Sequence, residues 1–165
     1  MNRSFFVNVK TKKGRVLKVV RETYIRDFMS CNSDACDSCD IESGERITLS
    51  AAPYEMRYLI MDEEVLLNQL DLLQQEIPPL CDVIILQSVM TEVRKRNLSV
   101  FNQLSNLLRD SSKRFVLFAN QNFENTYVDR QMDEPIVDYN IRQIVAASKY
   151  FNEHFKVATL LLLLV

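Results

Sequence analysis

Three cysteines with metal-ligand spacing lie close together, Cys31, Cys36 and Cys39, in the pattern C-x4-C-x2-C. A C-x2-C pair is the usual chelating half of a zinc site, and zinc takes four ligands. The alternative is a loop of three reduced, solvent-facing thiols, but cysteines packed this closely would be prone to oxidation. We therefore predict a structural zinc ion. The spacing leaves its fourth ligand open among Cys81, His154, Asp34, Asp37 and Asp40.

A second group of residues with chemical potential is acidic. Asp62 directly follows an apolar run, with Glu63 and Glu64 beside it, and Glu92 lies on a helix expected after the next strand. The carboxyl ends of parallel strands are where active sites form, so Asp62 and Glu92 could converge there. Converging carboxylates bind magnesium or manganese, which can activate a water for attack on phosphate. From the residues alone, a capping or solvated role is the favoured alternative.

The charge is unevenly distributed along the chain. Residues 1–26 carry a net charge of +7 and the remainder −9, although the whole chain of 165 residues is only at −2. A basic arm on an acidic body indicates contact with RNA or with an acidic protein surface, whereas the alternative is a solvated hairpin. The basic residues that we expect to make such contacts are Lys10, Lys12, Lys13 and Arg15.

Composition excludes several classes of protein. Two glycines thirty positions apart cannot form a Gly-rich phosphate loop or a dinucleotide fingerprint, and one histidine excludes every two-histidine metal motif. No secretory signal is expected at the start, and the apolar run 159–165 is far shorter than the ~20 residues of a membrane helix. We interpret that run as a buried strand, and its abrupt end suggests a chain that is cut off.

The elements that must position these residues follow from periodicity. Apolar runs 5–9 and 16–20 flank a glycine-containing turn, which predicts a β-hairpin. Strands and helices are then predicted to alternate, which implies a mainly parallel central sheet with flanking helices. The expected fold is α/β, with a basic hairpin and cysteine module at 1–56 and a second domain at 57–165. The later strands are expected at 57–61, 83–86, 114–119 and 157–165, and the helices at 63–75, 89–108 and 135–155.

Several motifs in the right order resemble one family, the exosome-associated ribonucleases of the Dis-three type. V-R-E-T-Y-I-R-D at 20–27, followed by the cysteine motif, resembles their N-terminus. Y-L-I-M-D at 58–62 and D-V-I-I-L-Q-S-V-M-T-E-V-R at 82–94 resemble the first two strands of their PIN domain. N-E-H at 152–154 also fits. The resemblance covers essentially the whole chain and implies a PIN-like fold.

The resemblance implies specific roles for individual residues. A structural zinc would be held by the three cysteines and His154, and the RNA exosome core and single-stranded RNA would be the partners. In this family the PIN domain is a manganese- or magnesium-dependent endonuclease with four acidic residues. Asp62 and Glu92 match the first two, Ile141 stands where the third is expected, and the fourth would fall beyond the last residue. Asp138, three residues before Ile141, is the candidate substitute.

The incomplete acidic set favours one function over two others. We expect a zinc-stabilised, catalytically degenerate PIN domain that docks a ribonuclease on the exosome core, in the nucleus or the cytoplasm, in RNA processing and decay. The pattern resembles the cytoplasmic paralogue of the family, while the family's exonuclease region has no counterpart in the chain. The alternatives are an active endonuclease that uses Asp138, and a general RNA-binding module built on the basic hairpin.

Overall fold

Continuous apolar runs, with no alternation of apolar and polar residues, form the central strands of the molecule. The computed structural model describes residues 2–31, 39, 58–75, 82–155 and 159–162. Four short parallel strands form one sheet in the order β5-β4-β3-β6. All four residues of β3 are buried, and four of the five in β4, as expected for strands covered on both faces. The strands are β3 (Tyr58–Met61), β4 (Asp82–Leu86), β5 (Arg114–Phe118) and β6 (Thr159–Leu162).

Helices link these strands and cover the sheet. The helices are α1 (Glu63–Asn68), α2 (Leu70–Gln74), α3 (Gln87–Arg96), α4 (Leu98–Arg109) and α5 (Ile136–Phe155). The apolar stripe of α5 is buried, and Phe151 contacts Phe118 of β5 with ring centroids 4.8 Å apart. The predicted α/β class with a mainly parallel sheet is confirmed. Within the described residues, no helix is both long and apolar enough to cross a membrane.

Two helices predicted as continuous are each divided. The segment at 63–75 breaks at Gln69, whose backbone leaves the helical region at φ −130° and ψ 28°. The segment at 89–108 breaks at Asn97, whose side-chain oxygen accepts hydrogen bonds from the backbone N–H groups of Ser99 (3.0 Å) and Val100 (3.2 Å). Asn97 thus caps a new helix, because its oxygen satisfies N–H groups that otherwise lack a partner there.

The basic N-terminal segment forms the predicted hairpin. β1 (Asn2–Lys10) pairs antiparallel with β2 (Val16–Tyr24), and Lys10 lies opposite Val16. Gly14 adopts a left-handed φ of 77° in the turn, a conformation that glycine reaches without steric cost. The hairpin has only two strands, and side chains such as Val16 (64% exposed) and Leu17 (52%) remain exposed.

The segment after the hairpin joins the main sheet domain through backbone hydrogen bonds. Arg26 N–H donates to the carbonyl of Asn122 (2.8 Å), and Glu124 N–H donates to the carbonyl of Arg26 (2.9 Å). These bonds hold the chain just before the first cysteine against the segment that follows β5. The predicted domain boundary between residues 56 and 57 lies among residues outside the described set, and it stays a prediction.

Candidate functional site

The structure brings three potential metal ligands together from distant parts of the sequence. Cys31 and Cys39 are both buried, at 1% and 8% exposure, and neither forms a disulfide with a residue that the structure describes. Their sulfur atoms and an imidazole nitrogen of His154 lie within 4.8 Å of one another. Cys39 Sγ is 3.3 Å from His154 Nε2 across 115 residues of sequence. Among the described residues this is the one group of three or more cysteine, histidine or acidic side chains so closely placed.

The ring of His154 is fixed by its neighbours on α5. It stacks on Tyr150, with centroids 5.0 Å apart and 19° between the planes, and its edge meets Phe155. Burial lowers the pKa of His154, because removal from water disfavours the charged imidazolium. The neutral imidazole that results is the form that binds a metal.

The geometry fits a zinc ion. With Zn–S near 2.3 Å and Zn–N near 2.0–2.1 Å, a tetrahedral site places sulfur and nitrogen about 3.5 Å apart. The Cys39–His154 separation is close to that value. These three side chains could therefore supply three of the four ligands of a metal ion such as zinc. The remaining candidates for a zinc ligand all lie outside the described residues. They are Cys36, Cys81, Asp34, Asp37 and Asp40.

Asp62 lies at the end of β3 and begins α1. It is 7% exposed, and its Oδ1 accepts a hydrogen bond of 2.8 Å from the backbone N–H of Val65. This is the N-cap arrangement, in which an aspartate oxygen satisfies a free N–H of the first turn. Asp62 therefore has a structural role, whatever its part in metal binding.

The two glutamates after Asp62 are bound by side chains from other helices. Asn140 Nδ2 of α5 donates a hydrogen bond to Glu63 Oε1 (3.2 Å), and Arg96 Nη1 of α3 forms an ion pair with Glu64 Oε1. The hydrogen bond from Arg96 lowers the pKa of Glu64, and the same contact raises the pKa of Arg96. The guanidinium of Arg96 thus lies beside the Glu64 carboxylate, and its positive charge disfavours a divalent cation at the same oxygen.

Glu92 lies on α3 and is paired within its own helix. Lys95 Nζ is 2.6 Å from Glu92 Oε1. Glu92 lines a mixed-polarity cavity of about 510 Å³, bordered by α3, α5 and the end of the hairpin. The α5 residues that line the cavity are Ile136, Tyr139, Asn140 and Gln143, spaced as one helix face.

Asp138 does not lie on that helix face. It is exposed, and at about 100° per residue it is rotated by roughly 200° from Asn140. Ile141 is 43% exposed. No three acidic residues among those described, Asp62, Glu92 and Asp138 included, bring carboxylate oxygens within 4.8 Å of one another. The catalytic roles proposed for these three residues stay predictions.

Sequence reasoning missed the polar residues that surround the carboxylates. Asn140 and Arg96 were not identified, although an asparagine beside the expected third acidic position and a basic run after Glu92 were visible signals. A buried network was missed as well: Ser88 N–H donates to Asn120 Oδ1 (3.1 Å), and Asn120 Nδ2 donates to Ser88 Oγ (3.0 Å). This network ties the start of α3 to the segment after β5.

The four basic residues predicted to contact RNA or a partner surround the hairpin turn. Lys10, Lys12, Lys13 and Arg15 are all exposed. None of them forms an ion pair with a residue that the structure describes. The turn therefore carries positive charge that no described acidic residue pairs.

Comparison with known proteins gives a consistent result. No protein-family model matches the chain. It is 36% identical over 155 residues to mouse "Exosome complex exonuclease RRP44", covering 89% of this chain and 16% of that protein. It is 34% identical over 154 residues to the Arabidopsis thaliana "Exosome complex exonuclease RRP44 homolog A", covering 93% and 16%. With Schizosaccharomyces pombe "Exosome complex exonuclease dis3" it shares 33% identity over 160 residues, covering 90% and 16%.

A solved structure supports the same assignment of fold. The structure of the Trypanosoma brucei RRP44 PIN domain matches with a TM-score of 0.67 and 24% identity, covering 79% of this chain and 68% of that one. The chain spans about one sixth of the length of the curated relatives that it matches. It therefore corresponds to the N-terminal PIN-domain region of the RRP44/Dis3 exosome exonucleases, as its sequence motifs predict.

Proposed function

We propose that this chain is part of an exosome ribonuclease subunit, and that its PIN domain docks the nuclease on the exosome core without cutting RNA itself. Zinc bound by Cys31, Cys36, Cys39 and His154 would fasten the basic module at 1–56 to the PIN domain at 57–165. The subunit would act in RNA processing and decay in the nucleus or the cytoplasm. The similarity to the RRP44 and Dis3 exosome exonucleases over about 90% of the chain supports this proposal.

The observation that carries the docking proposal is that the carboxylates have protein partners. Glu64 is paired with Arg96, and Glu92 with Lys95. Asp62 caps a helix. A cation-dependent hydrolase needs several converging oxygens that are free to hold the ion and position its water. Here Arg96 and Lys95 each pair with an oxygen of Glu64 and Glu92, and Ile141 stands at the third acidic position of the family pattern.

The zinc site would make docking possible by stabilising the fold. Cys31 and Cys39 belong to the same buried cluster as Phe151 and Phe155 of α5. A metal ion that links the loop to α5 would therefore fix the hairpin module relative to the sheet. The free energy of metal binding contributes directly to folding when the site exists only in the native state.

Cleavage of a circular single-stranded RNA tests the proposal, because a circle has no ends and only endonucleolytic attack can open it. We expect no manganese-dependent opening by the folded, zinc-loaded chain, with a PIN nuclease of known activity as the positive control. Cleavage that disappears in Asp62→Asn and Glu92→Gln would overturn the docking proposal.

The second candidate function is an active endonuclease dependent on manganese or magnesium. In its favour, Asp62 and Glu92 follow adjacent parallel strands, at the edge where such sheets form active sites. In this case Asp138 would have to supply a third ligand. Asp138→Asn is then the discriminating variant: it leaves the Asp62 cap intact and would abolish cleavage only if Asp138 holds the ion.

The basic hairpin would serve either function by contacting single-stranded RNA or an acidic surface of the exosome core. Replacing Lys10, Lys12 and Lys13 by glutamine should weaken RNA binding and reduce its salt dependence, because fewer counterions are released from the phosphates. Unchanged RNA affinity and unchanged salt dependence would contradict an RNA-binding role for the hairpin.

A further inference from the structure

An apolar cavity of about 400 Å³ lies between α3, α4 and strand β5. Its volume is in the range of ligand-binding sites, and half of its lining residues have large apolar side chains. None of its lining residues is acidic, and none belongs to the cysteine cluster. The apolar members of the lining are Met90, Phe101, Leu108, Phe115 and Leu117.

Strand β5 is an edge strand that carries part of this cavity. It pairs with β4 on one side only. Its other edge makes no backbone hydrogen bond to any residue in the described part of the chain. Phe115 and Leu117 point from β5 into the cavity, and Leu117 is 43% exposed. An open edge beside an apolar groove favours pairing with another strand.

The rim of the cavity is positively charged. Arg94 and Arg109 both line it. Arg94 lies over the ring of Phe101, with its guanidinium carbon 5.4 Å from the ring centroid, which fixes its position at the rim. Neither arginine forms an ion pair with a described residue. Asp110, the acidic residue that follows Arg109 in sequence, accepts the N–H (2.9 Å) and the hydroxyl (2.7 Å) of Ser112 at Oδ1.

We propose that β5 and this cavity bind an extended segment of a partner protein that adds a strand to the sheet. Side chains two residues apart share one face of a strand. An apolar side chain of the segment would enter the cavity beside Phe115 and Leu117. Acidic side chains two positions before and after it would reach Arg94 and Arg109. Backbone pairing supplies affinity in this mode of recognition, and the alternating side chains supply specificity.

This inference is independent of the zinc cluster and of the carboxylate site. It follows from the coincidence of an open strand edge, an apolar groove and two arginines that form no ion pair with any residue the structure describes. The same arginines could attract RNA phosphates, but the apolar side chains of the lining and the open strand edge favour a peptide. Phosphate recognition is therefore an outcome of the test.

The probe is the peptide acetyl-Ser-Asp-Thr-Leu-Thr-Asp-Ser-amide, titrated into the isotope-labelled full chain and followed by amide chemical shifts. We expect the largest shifts at residues 114–118, and slower hydrogen exchange of the outward amides of β5. Replacing both aspartates of the peptide by lysine should weaken binding at least tenfold. The double variant R94Q/R109Q should weaken binding of the original peptide to a similar extent.

The matched control is K12Q/K13Q, which removes the same charge at the hairpin turn and should leave peptide affinity unchanged. L117D is the second variant, because an acid in the groove should repel the peptide without removing a buried side chain. Equal binding of the lysine peptide, shifts outside β5, α3 and α4, or an oligouridine that shifts the same amides at lower concentration would each overturn the proposal.

Discussion

Loss of one proposed zinc ligand in Cys39→Ser should lower stability mainly through loss of the metal. A serine hydroxyl is nearly isosteric with the thiol but is a poor zinc ligand, so the variant tests coordination with little change in packing. Cys39 is 8% exposed, and its sulfur lies 3.3 Å from His154 Nε2, so its replacement opens the site that Cys31 and His154 share.

The size of the effect follows from mass action. If zinc binds only the native state, a free zinc concentration 1,000 times the dissociation constant adds about 4.1 kcal/mol to the free energy of unfolding. For a chain of 165 residues, each kcal/mol corresponds to a shift in Tm of roughly 2–4 °C. Full loss of zinc binding should therefore lower Tm by about 8–16 °C. That is a large share of the ~5–15 kcal/mol that stabilises a typical domain.

The assay is calorimetric unfolding of the parent and the variant, each with zinc and with a chelator, beside zinc content measured by mass spectrometry. We expect the large difference in Tm between the parent and Cys39→Ser only with zinc present. With the chelator, their Tm values should differ by a few degrees at most. Cys81→Ser is the control, because it should retain one zinc per chain. An equal loss of Tm with and without metal, or unchanged zinc content in Cys39→Ser, would refute the coordination argument.

Three further predictions concern the fold and its pH dependence. Phe151→Ala should cost about 3–5 kcal/mol in denaturant unfolding, because Phe151 is fully buried against Phe118; a loss below 1 kcal/mol would contradict this packing. Asn97→Ala should cost about 1 kcal/mol by the same method, since the capping bonds to α4 are lost, whereas Asn97→Asp should retain most of the stability. Burial lowers the pKa of His154 below its ordinary 6.5, so the unfolded chain binds a proton more readily than the native one. The free energy of unfolding of the metal-free chain should therefore fall as the pH drops below about 6.5. In calorimetry, His154→Gln should remove this pH dependence, and an unchanged pH profile in the variant would contradict the prediction.

The sequence predicts the strands and the long helix well, because their signals are local. Buried parallel strands appear as continuous apolar runs, and the stripe of α5 repeats with helical spacing. The sequence pattern does not reveal the helix breaks at Gln69 and Asn97, because apolar residues continue with helical spacing on both sides of each break. Only the cap geometry of Asn97, which periodicity does not report, divides that helix.

The candidate site is less accessible to sequence reasoning, because its contacts are long-range. Spacing indicates a metal at the cysteines, but nothing local connects Cys39 to a histidine 115 residues away. The family resemblance, and not periodicity, singled out His154. The ion pair between Glu64 and Arg96 depends on how α1 packs on α3, and neither helix reveals that alone. The ion pairing of these carboxylates is therefore visible only in the three-dimensional structure.

The most direct test of the docking proposal is the affinity of the folded, zinc-loaded chain for a reconstituted exosome core, measured by interferometry with the core immobilised. We predict saturable binding that survives in Asp62→Asn and Glu92→Gln, because docking does not use the carboxylate site. The same binding should be lost in Cys39→Ser at temperatures where that variant unfolds. No binding by the folded, zinc-loaded chain would contradict the proposal.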